Sequence, residues 1–461
     1  MEDYNGFKQK ALEIGKAILE LNNPVIVHHL DCDGITSGAM VALAFEQLKK
    51  PYRMKMLKRL DPESIKTVPD SDNYVFTDLG SGALDVINQF LPGKKVFIID
   101  HHPPNGERKV EIINPHDFGF DGAIAACSAS TAFWCFKHLQ NPLHYEVGIV
   151  GAIGDMQDQE GMKFLNEQML EEAIQKGIVS KKVDLKMFGK VSRALVSFLS
   201  FASEPFLPGL TGNDKNCAIF LDENEIPTES EGKKLKYYDL SEEDQKKLAS
   251  ALLAYATEKL GEEPARQLIG DTYTFLNEPA DSELRDGYEF SVMMNACGRH
   301  DEPEAGIGVC LHNSPQALEK ARGLIANHRM AISKGILLAR ESTMDLGAFY
   351  FFDGRGKVSD SVIGTVAGGF FASGAVTQSK PIISLSLDEE GQVKASSRAN
   401  KALVQKGLHL GDVMRQSAEI AGGYGGGHNI AAGASFKPSK ANVESFLKKA
   451  KEIIQTQLKD K

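Results

Sequence analysis

The segment "FIIDHHPPNG" (97–106) runs from an apolar stretch straight into three ionisable groups. Val96 to Ile99 reads as a buried strand. Asp100, His101 and His102 follow without a spacer, and Pro103 and Pro104 end any regular structure. A core has no use for such a triplet, because an unpaired buried charge costs several kcal/mol or neutralises. The carboxyl end of a strand in an α/β sheet is where such sheets hold their ligands. The triplet therefore reads as the end of a central strand and the start of a site.

The same alternation extends on both sides of it. "PVIVHHL" (24–30), "NYVFTDLG" (73–80) and "KKVFIID" (94–100) are strand-like, and "SGAMVALAFEQL" (37–48) and "GALDVINQFL" (82–91) are helix-like. Such alternation predicts parallel βαβ units. A helical stretch is expected around 123–139. The type of "YEVGIVGAIGDMQD" (145–158) is not settled by periodicity. From about 161 to 275 the pattern is mostly helical, broken by "SEPFLPGLTGND" (203–214), and a long helical run at 314–342 reads as a connector. The tail has short strands ("GAFYFF", "PIISLSL", "QVKASSR") and the glycine cluster "AGGYGGGHNIAAG" (421–433), which reads as a loop. The expected fold class is α/β. It has an N-terminal parallel-sheet domain over 1–190, a mainly helical insertion over 191–280, a substrate segment and connector helix over 281–345, and a smaller α/β domain over 346–461.

The chain has 461 residues and a formal net charge of −10. That balance argues against a dedicated nonspecific duplex binder, which is usually basic. It suits a carboxylate site whose charge bound cations cancel. The cysteines (Cys32, Cys127, Cys135, Cys217, Cys297, Cys310) have no CxxC or framework spacing, which fits reduced thiols in a cytoplasm. No run of 18 apolar residues predicts a membrane span. The opening "MEDYNGFKQKALEIGKAILE" reads as an amphipathic helix and not as a signal peptide.

"HHLDCDG" (28–34) closes the first strand-like run. If strand geometry persists, His29, Asp31 and Asp33 share one face, with His28 on the other. Gly34 then turns the chain into a helix beginning near Ser37. Asp78 ends the second run, Asp100-His101-His102 the third, and Asp155 follows "GAIG", whose small residues allow close packing. A lone Asp at a strand end is usually a turn former or helix cap. Three consecutive strand ends closing on Asp or His are not explained that way. Oxygen and nitrogen ligands without thiolate suit Mn²⁺ or Mg²⁺. Two such ions about 3.5–4 Å apart are arranged for in-line attack on phosphorus.

"HLDCDG", "TDLG", "DHH" and "GAIGDMQD", in this order, resemble the four metal-binding motifs of the DHH phosphoesterase superfamily. "GGYGGGHNIAAG" is similar to the signature of the DHH-associated C-terminal domain, and "VKASSR" (393–398) to that domain's strand with a substrate-binding arginine. "NACGRHDEP" (295–303) resembles a segment of RecJ-type exonucleases. The insertion and "SEPFLPGLTG" look like the archaeal RecJ-like, GINS-associated nucleases. This resemblance implies two Mn²⁺ (or Mg²⁺) ions held by His29, Asp31, Asp33, Asp78, His101 and Asp155. It makes His102 the catalytic histidine facing substrate, with Asp100 orienting an imidazole. It also implies a GINS complex through the insertion.

On the substrate side, Gly425, Gly426 and Gly427 offer backbone N–H groups to a phosphate, with His428 and Arg398 adding side-chain donors. Arg299 can form a bidentate phosphate pair, or an ion pair with Asp301, Glu302 or Glu304. Asn295 can orient it or contact a sugar. "YRMKMLKRL" (52–60) is either an edge strand or a nucleic-acid contact, and Tyr424 is a candidate stacking platform. The resemblance implies a metal-dependent exonuclease on single-stranded nucleic acid, releasing mononucleotides 5′→3′ from DNA. The alternatives are a 3′→5′ enzyme acting on RNA or short oligonucleotides, a replication scaffold associated with GINS, and a small-molecule phosphatase.

Overall fold

The computed structural model describes residues 2–202, 207–312 and 314–459, so the opening of the "SEPFLPGLTG" phrase, 203–206, lies outside the described residues. The chain begins α1 (Tyr4–Leu19), β1 (Val25–His29), α2 (Cys32–Gln47), β2 (Arg53–Leu57), β3 (Asn73–Thr77), α3 (Leu84–Phe90), β4 (Lys95–Ile99) and β5 (Glu111–Ile113). It continues through α4 (Ser128–Phe136), α5 (Pro142–Gly154), α6 (Phe164–Gln175) and β6 (Val179–Leu185). Next come α7 (Leu195–Ser200), α8 (Asp214–Glu223), the short strands β7 (Glu229–Ser230) and β8 (Lys233–Lys234), α9 (Glu242–Leu260), α10 (Glu262–Arg266) and β9 (Ile269–Phe275). Then follow α11 (Gly287–Arg299), α12 (Pro303–Cys310) and the long α13 (Pro315–Ser342). The chain divides into two units, Met1–Phe198 with Ala218–Ile325, and Leu199–Cys217 with Ala326–Lys461.

In the first unit the five strands lie in the order β2-β1-β3-β4-β5, all parallel. The strands are almost wholly apolar because both faces are covered. Val25, Val27, Tyr74, Phe76, Val96 and Ile98 pack on one face with Leu84 and Ile87 of α3. Ile26, Val75, Phe97 and Ile99 face the larger core that includes α1, α2, α4 and α5. The order reverses between β1 and β3, which is where such sheets open a crevice at their carboxyl ends. β2 is an edge strand, as one reading of "YRMKMLKRL" expected.

Two sequence expectations are corrected, and one open assignment is settled. α2 begins at Cys32, not near Ser37, because Asp31 caps it: its carboxylate accepts the Gly34 N–H at 3.0 Å. Asp31 and Asp33 are therefore a cap and a first-turn residue, not neighbours of His29 on a strand face. The undecided "YEVGIVGAIGDMQD" is helix α5, and Asp155 is its C-cap, not a strand end. The mostly helical 161–275 stretch contains β6 and β9, which pair antiparallel over seven residues and enclose the insertion.

Glycines set how closely the helices approach the β1–α2 turn. A Cβ on Gly154 would lie 2.4 Å from Cys32 Cβ, and one on Gly151 would lie 2.3 Å from Ala129 Cβ. A Cβ on Gly298 of α11 would lie 1.5 Å from the Leu30 carbonyl oxygen. Asp286 caps α11 and forms an ion pair with Lys190 at 3.1 Å, both side chains being buried. That pair ties the first residues of the insertion to α11.

The second unit holds β10 (Met344–Asp345), β11 (Tyr350–Asp353), α14 (Asp360–Ala372), β12 (Ile382–Leu387), β13 (Val393–Arg398), α15 (Lys401–Gln405), α16 (Leu410–Ile420), β14 (Tyr424–Gly427), β15 (Ala431–Phe436) and α17 (Lys440–Lys459). Its six-stranded sheet has the order β10-β11-β12-β13-β15-β14, with β11 and β12 parallel and the other neighbours antiparallel. The glycine cluster is thus not a loop. Gly425, Gly426 and Gly427 form an edge strand paired with Ala434, Gly433 and Ala432. Its glycines admit α16, since a Cβ on Gly425 would lie 2.6 Å from the Met414 carbonyl oxygen.

Gly298→Ala drives a methyl group into backbone, so α11 must move off the β1–α2 turn. The expected cost is about 1–3 kcal/mol, measured as a lower urea midpoint with an unchanged slope.

Candidate metal centre

β1, β3 and β4 are adjacent, and the residues after them converge at one sheet edge. His29 ends β1, and its Nδ1 lies 3.0 Å from Asp31 Oδ2 and 3.1 Å from Asp78 Oδ2. Burial works against a charge on His29, but the Asp31 and Asp78 carboxylates outweigh it and push its pKa up to about 10. Asp31 is held at about 2: burial opposes its charge, and the bond to His29 and the Gly34 N–H overcome it.

Asp78 follows β3 with a φ of 59°, a left-handed conformation uncommon outside glycine. The turn buries its carboxylate to 2% exposure and aims the two oxygens in different directions. Oδ2 meets His29, while Oδ1 accepts the Ser128 hydroxyl at 3.1 Å and lies 3.4 Å from His101 Nε2.

Asp33 sits in the first turn of α2 and is buried. Its oxygens accept the Ser128 and Ala129 N–H groups at 2.7 and 2.8 Å, at the N-terminus of α4. Burial and the neighbouring Asp78 push its pKa up to about 7. Asp155 is pushed up to about 6 by burial and by Asp33, and Gln157 donates to it at 2.7 Å.

His101 Nδ1 donates to the Gly122 carbonyl at 2.9 Å. That bond orients the ring and leaves Nε2 as the atom open to a ligand. Burial works against a charge there, but Asp78, Asp33 and Asp155 outweigh it and raise the pKa well above the ordinary value. Nε2 points at Asp33, Asp78 and Asp155, at 3.8, 3.4 and 3.8 Å. Asp100 is fully engaged beneath. It accepts from the Ser81, His101 and His102 N–H groups and from His102 Nδ1 at 2.8 Å. His102 is thus oriented by Asp100, with 52% of its side chain exposed. The bond to Asp100 raises its pKa against the opposing effect of burial.

Two donor groups, His29–Asp31–Asp78 and Asp33–His101–Asp155, each bring one ligand atom per residue within 4.8 Å of one another. Their chemistry, carboxylate oxygen plus an imidazole nitrogen that gives up its proton on metal binding, fits hard or borderline divalent cations. Four carboxylates crowd this edge, and the imidazoles of His29 and His101 offset only part of their charge.

The residues expected on the substrate side are spread over both units. In the first, Asn295 Oδ1 accepts the Cys32 N–H at 3.0 Å, so it holds the first turn of α2. Arg299 is exposed. Two of its expected partners are engaged elsewhere, Asp301 with Lys58 and Glu302 with Lys320. In the second unit Arg398 ends β13 and donates to the Ser397 carbonyl, while His428 follows β14 and is exposed. Several contributors went unnoticed in the sequence. Gly122 touches His101 so closely that a Cβ would lie 2.0 Å from its carbonyl oxygen. Gln157 and Ser128 act through the carboxylates they bond, Asp155 for the first and Asp33 and Asp78 for the second. The only sequence signals were a glycine in "FDGA" and a serine after Cys127, both commonplace.

The pH dependence of the metal-free protein follows from these shifts. Asp33 and Asp155 have folded pKa values above the unfolded value of about 3.9. The folded state then binds more protons between about pH 4 and 7, so stability falls as pH rises through that window. The lowered Asp31 acts oppositely, and only as pH falls below about 4. In EDTA, thermal scans from about pH 5 to 7 should fall for the wild type. The slope should flatten in Asp33→Asn/Asp155→Asn and reverse with saturating Mn²⁺, which needs the carboxylates charged. Parallel curves for wild type and variant would exclude this account.

Comparison with known proteins places the chain. Residues 23–158 match the DHH family N-terminal domain, 187–268 the DHH-CID domain and 350–456 the DHHA1 domain. The DHH-CID match covers the segment between β6 and β9. An uncharacterized protein of Methanocaldococcus jannaschii is 27% identical over 450 residues, 94% of each chain. Among solved structures, CDC45 from Entamoeba histolytica superposes with a TM-score of 0.62 at 12% identity, covering 98% of both chains. RecJ from Thermus thermophilus, in complex with Mn²⁺, gives a TM-score of 0.56 at 13% identity. It covers 98% of this chain, which spans 55% of that RecJ. At such identities the two structures speak for the fold. The three domain matches, in this order, place the chain in the DHH family, with a fold like that of RecJ and CDC45.

Proposed function

We propose that the protein is a two-metal phosphodiesterase that removes mononucleotides from single-stranded nucleic acid, 5′→3′ on DNA. The observation that carries this reading is Asp78, whose two oxygens face the two ligand groups and can join them into one binuclear centre. His29, Asp31 and Asp78 would hold one ion, and Asp33, His101 and Asp155 the other. Two divalent cations held there would supply a nucleophile at neutral pH and positive charge at the reacting phosphate. Solved RecJ structures with Mn²⁺ and with Mg²⁺ favour these ions here.

The protein's own groups do the rest. Asp100 holds His102 by Nδ1, so Nε2 is the nitrogen open to substrate. Its raised pKa keeps a proton there that can pass to the leaving oxygen. Arg299 supplies a planar cation for a phosphate. Arg398, His428 and the N–H groups of Gly425, Gly426 and Gly427 would serve phosphate or strand-end binding in the second unit. Binding of a GINS complex through 191–280 belongs to the same reading and rests on the resemblance to GINS-associated nucleases. A scaffold role is the second reading, favoured by the TM-score of 0.62 to CDC45. A pure scaffold has no need of the six ligand-type side chains retained here.

The test is Mn²⁺-dependent digestion of single-stranded DNA and RNA labelled at either end. The wild type should release mononucleotides from 5′-labelled DNA first. Asp33→Ala should be inactive, and His102→Ala should lose about 10²–10⁴-fold in kcat with Mn²⁺ binding kept. A folded, Mn²⁺-loaded wild type that cuts neither strand would leave the scaffold reading standing.

A further inference from the structure

A second group of ligand-type side chains lies in the first unit, away from the strand ends. Glu146 is in α5, nine residues before Asp155, or about 13 Å of helix. Glu278 lies in the turn after β9, and His312 in the turn after α12. One donor atom from each lies within 4.8 Å of the other two. His312 Nε2 is 3.5 Å from Glu278 Oε1.

Glu146 is only 1% exposed. Asn277 donates to its Oε1 at 3.2 Å, yet Oε2 is shielded from solvent and meets no hydrogen-bond donor. Glu278 is also buried, and the turn that carries it is braced by Arg285 Nη1, which donates to the Glu278 carbonyl at 2.6 Å. Among the described residues no Lys or Arg forms an ion pair with either carboxylate. Two carboxylates buried side by side are unfavourable unless a proton or a cation lies between them. The imidazole on the third side is what tips the balance. Neutral imidazole with two carboxylates is a ligand set for a divalent transition metal, and Asn277 supplies the outer hydrogen bond that orients such a ligand.

We propose that Glu146, Glu278 and His312 bind one divalent transition-metal cation, Zn²⁺ by preference. The ion clips α5 to the turn after β9 and the turn after α12. It is separate from the strand-end centre and takes no part in the proposed hydrolysis. Three protein ligands leave one position for water, and His312, the most exposed of the three, marks the side of entry.

The test uses the full chain, stripped with EDTA, reloaded with Zn²⁺, desalted and measured by elemental analysis. Asp33→Ala/Asp78→Ala removes strand-end ligands and serves as the background. That variant should retain one Zn²⁺ per chain and melt higher with Zn²⁺ than in EDTA. Adding Glu278→Gln should remove both the ion and the shift. No retained Zn²⁺ in a folded background, or an ion that survives Glu278→Gln, would overturn the proposal and leave a shared proton between the carboxylates. If the background does not fold, His312→Ala in the otherwise unaltered chain must lower the Zn²⁺ count by one. An unchanged count there would overturn it equally.

Discussion

Mutual repulsion among Asp31, Asp33, Asp78 and Asp155, confined to one edge of a parallel sheet, is what the first unit is organised around. Part of it is offset from within. The N-terminus of α4 gives Asp33 two N–H groups, Ser128 gives Asp78 a hydroxyl, and His29 lies between Asp31 and Asp78. Asp100, one layer below, is satisfied by four donors and keeps its charge. Asp33 and Asp155 are not satisfied to that degree, and their pKa values rise accordingly. A cluster in this condition favours cations over protons once cations are available.

Such a cluster works only if its members are held closely, and here small residues do the holding. Gly151 and Gly154 bring α5 against α2 and α4, so that Asp155 reaches the sheet edge from a helix end. Gly298 seats α11 on the Leu30 carbonyl, and Asn295 takes the first N–H of α2. The "NACGR" segment therefore buttresses the turn that carries Asp31 and Asp33, whatever Arg299 does for a substrate. The buried Lys190–Asp286 pair extends this bracing to the insertion. A buried pair contributes less to net stability than to fixing which elements meet.

The two ligand groupings on α5 make a contrast in kind. The strand-end group has six ligand-type side chains and a half-exposed histidine beside it, as the proposed hydrolysis requires. The Glu146 group has three donors from three separate elements and two buried carboxylates, as a clip requires. One helix thus carries ligand-type carboxylates near both ends.

The parallel sheet and its site edge are legible in the residues alone. Apolar runs that end abruptly in "HHLDCDG", "FTDLG" and "IIDHH" have one physical reading, a buried strand delivering polar groups to its carboxyl end. Periodicity failed where context overrides it. The apolar, small-residue run before Asp155 has no amphipathic stripe because α5 is buried on all sides, so helix and strand look alike from sequence. "AGGYGGGHNIAAG" reads as a loop until β15 pairs back along it and α16 closes over its glycines. Asp31 as a helix cap was hidden for a similar reason, since the cap depends on where the chain turns. Which oxygen of Asp78 faces which ligand group emerges only once the chain is folded. The same holds for Gly122 orienting the His101 ring and for Glu146, Glu278 and His312 meeting at all. Those depend on contacts between residues far apart in the chain, and no local pattern carries them.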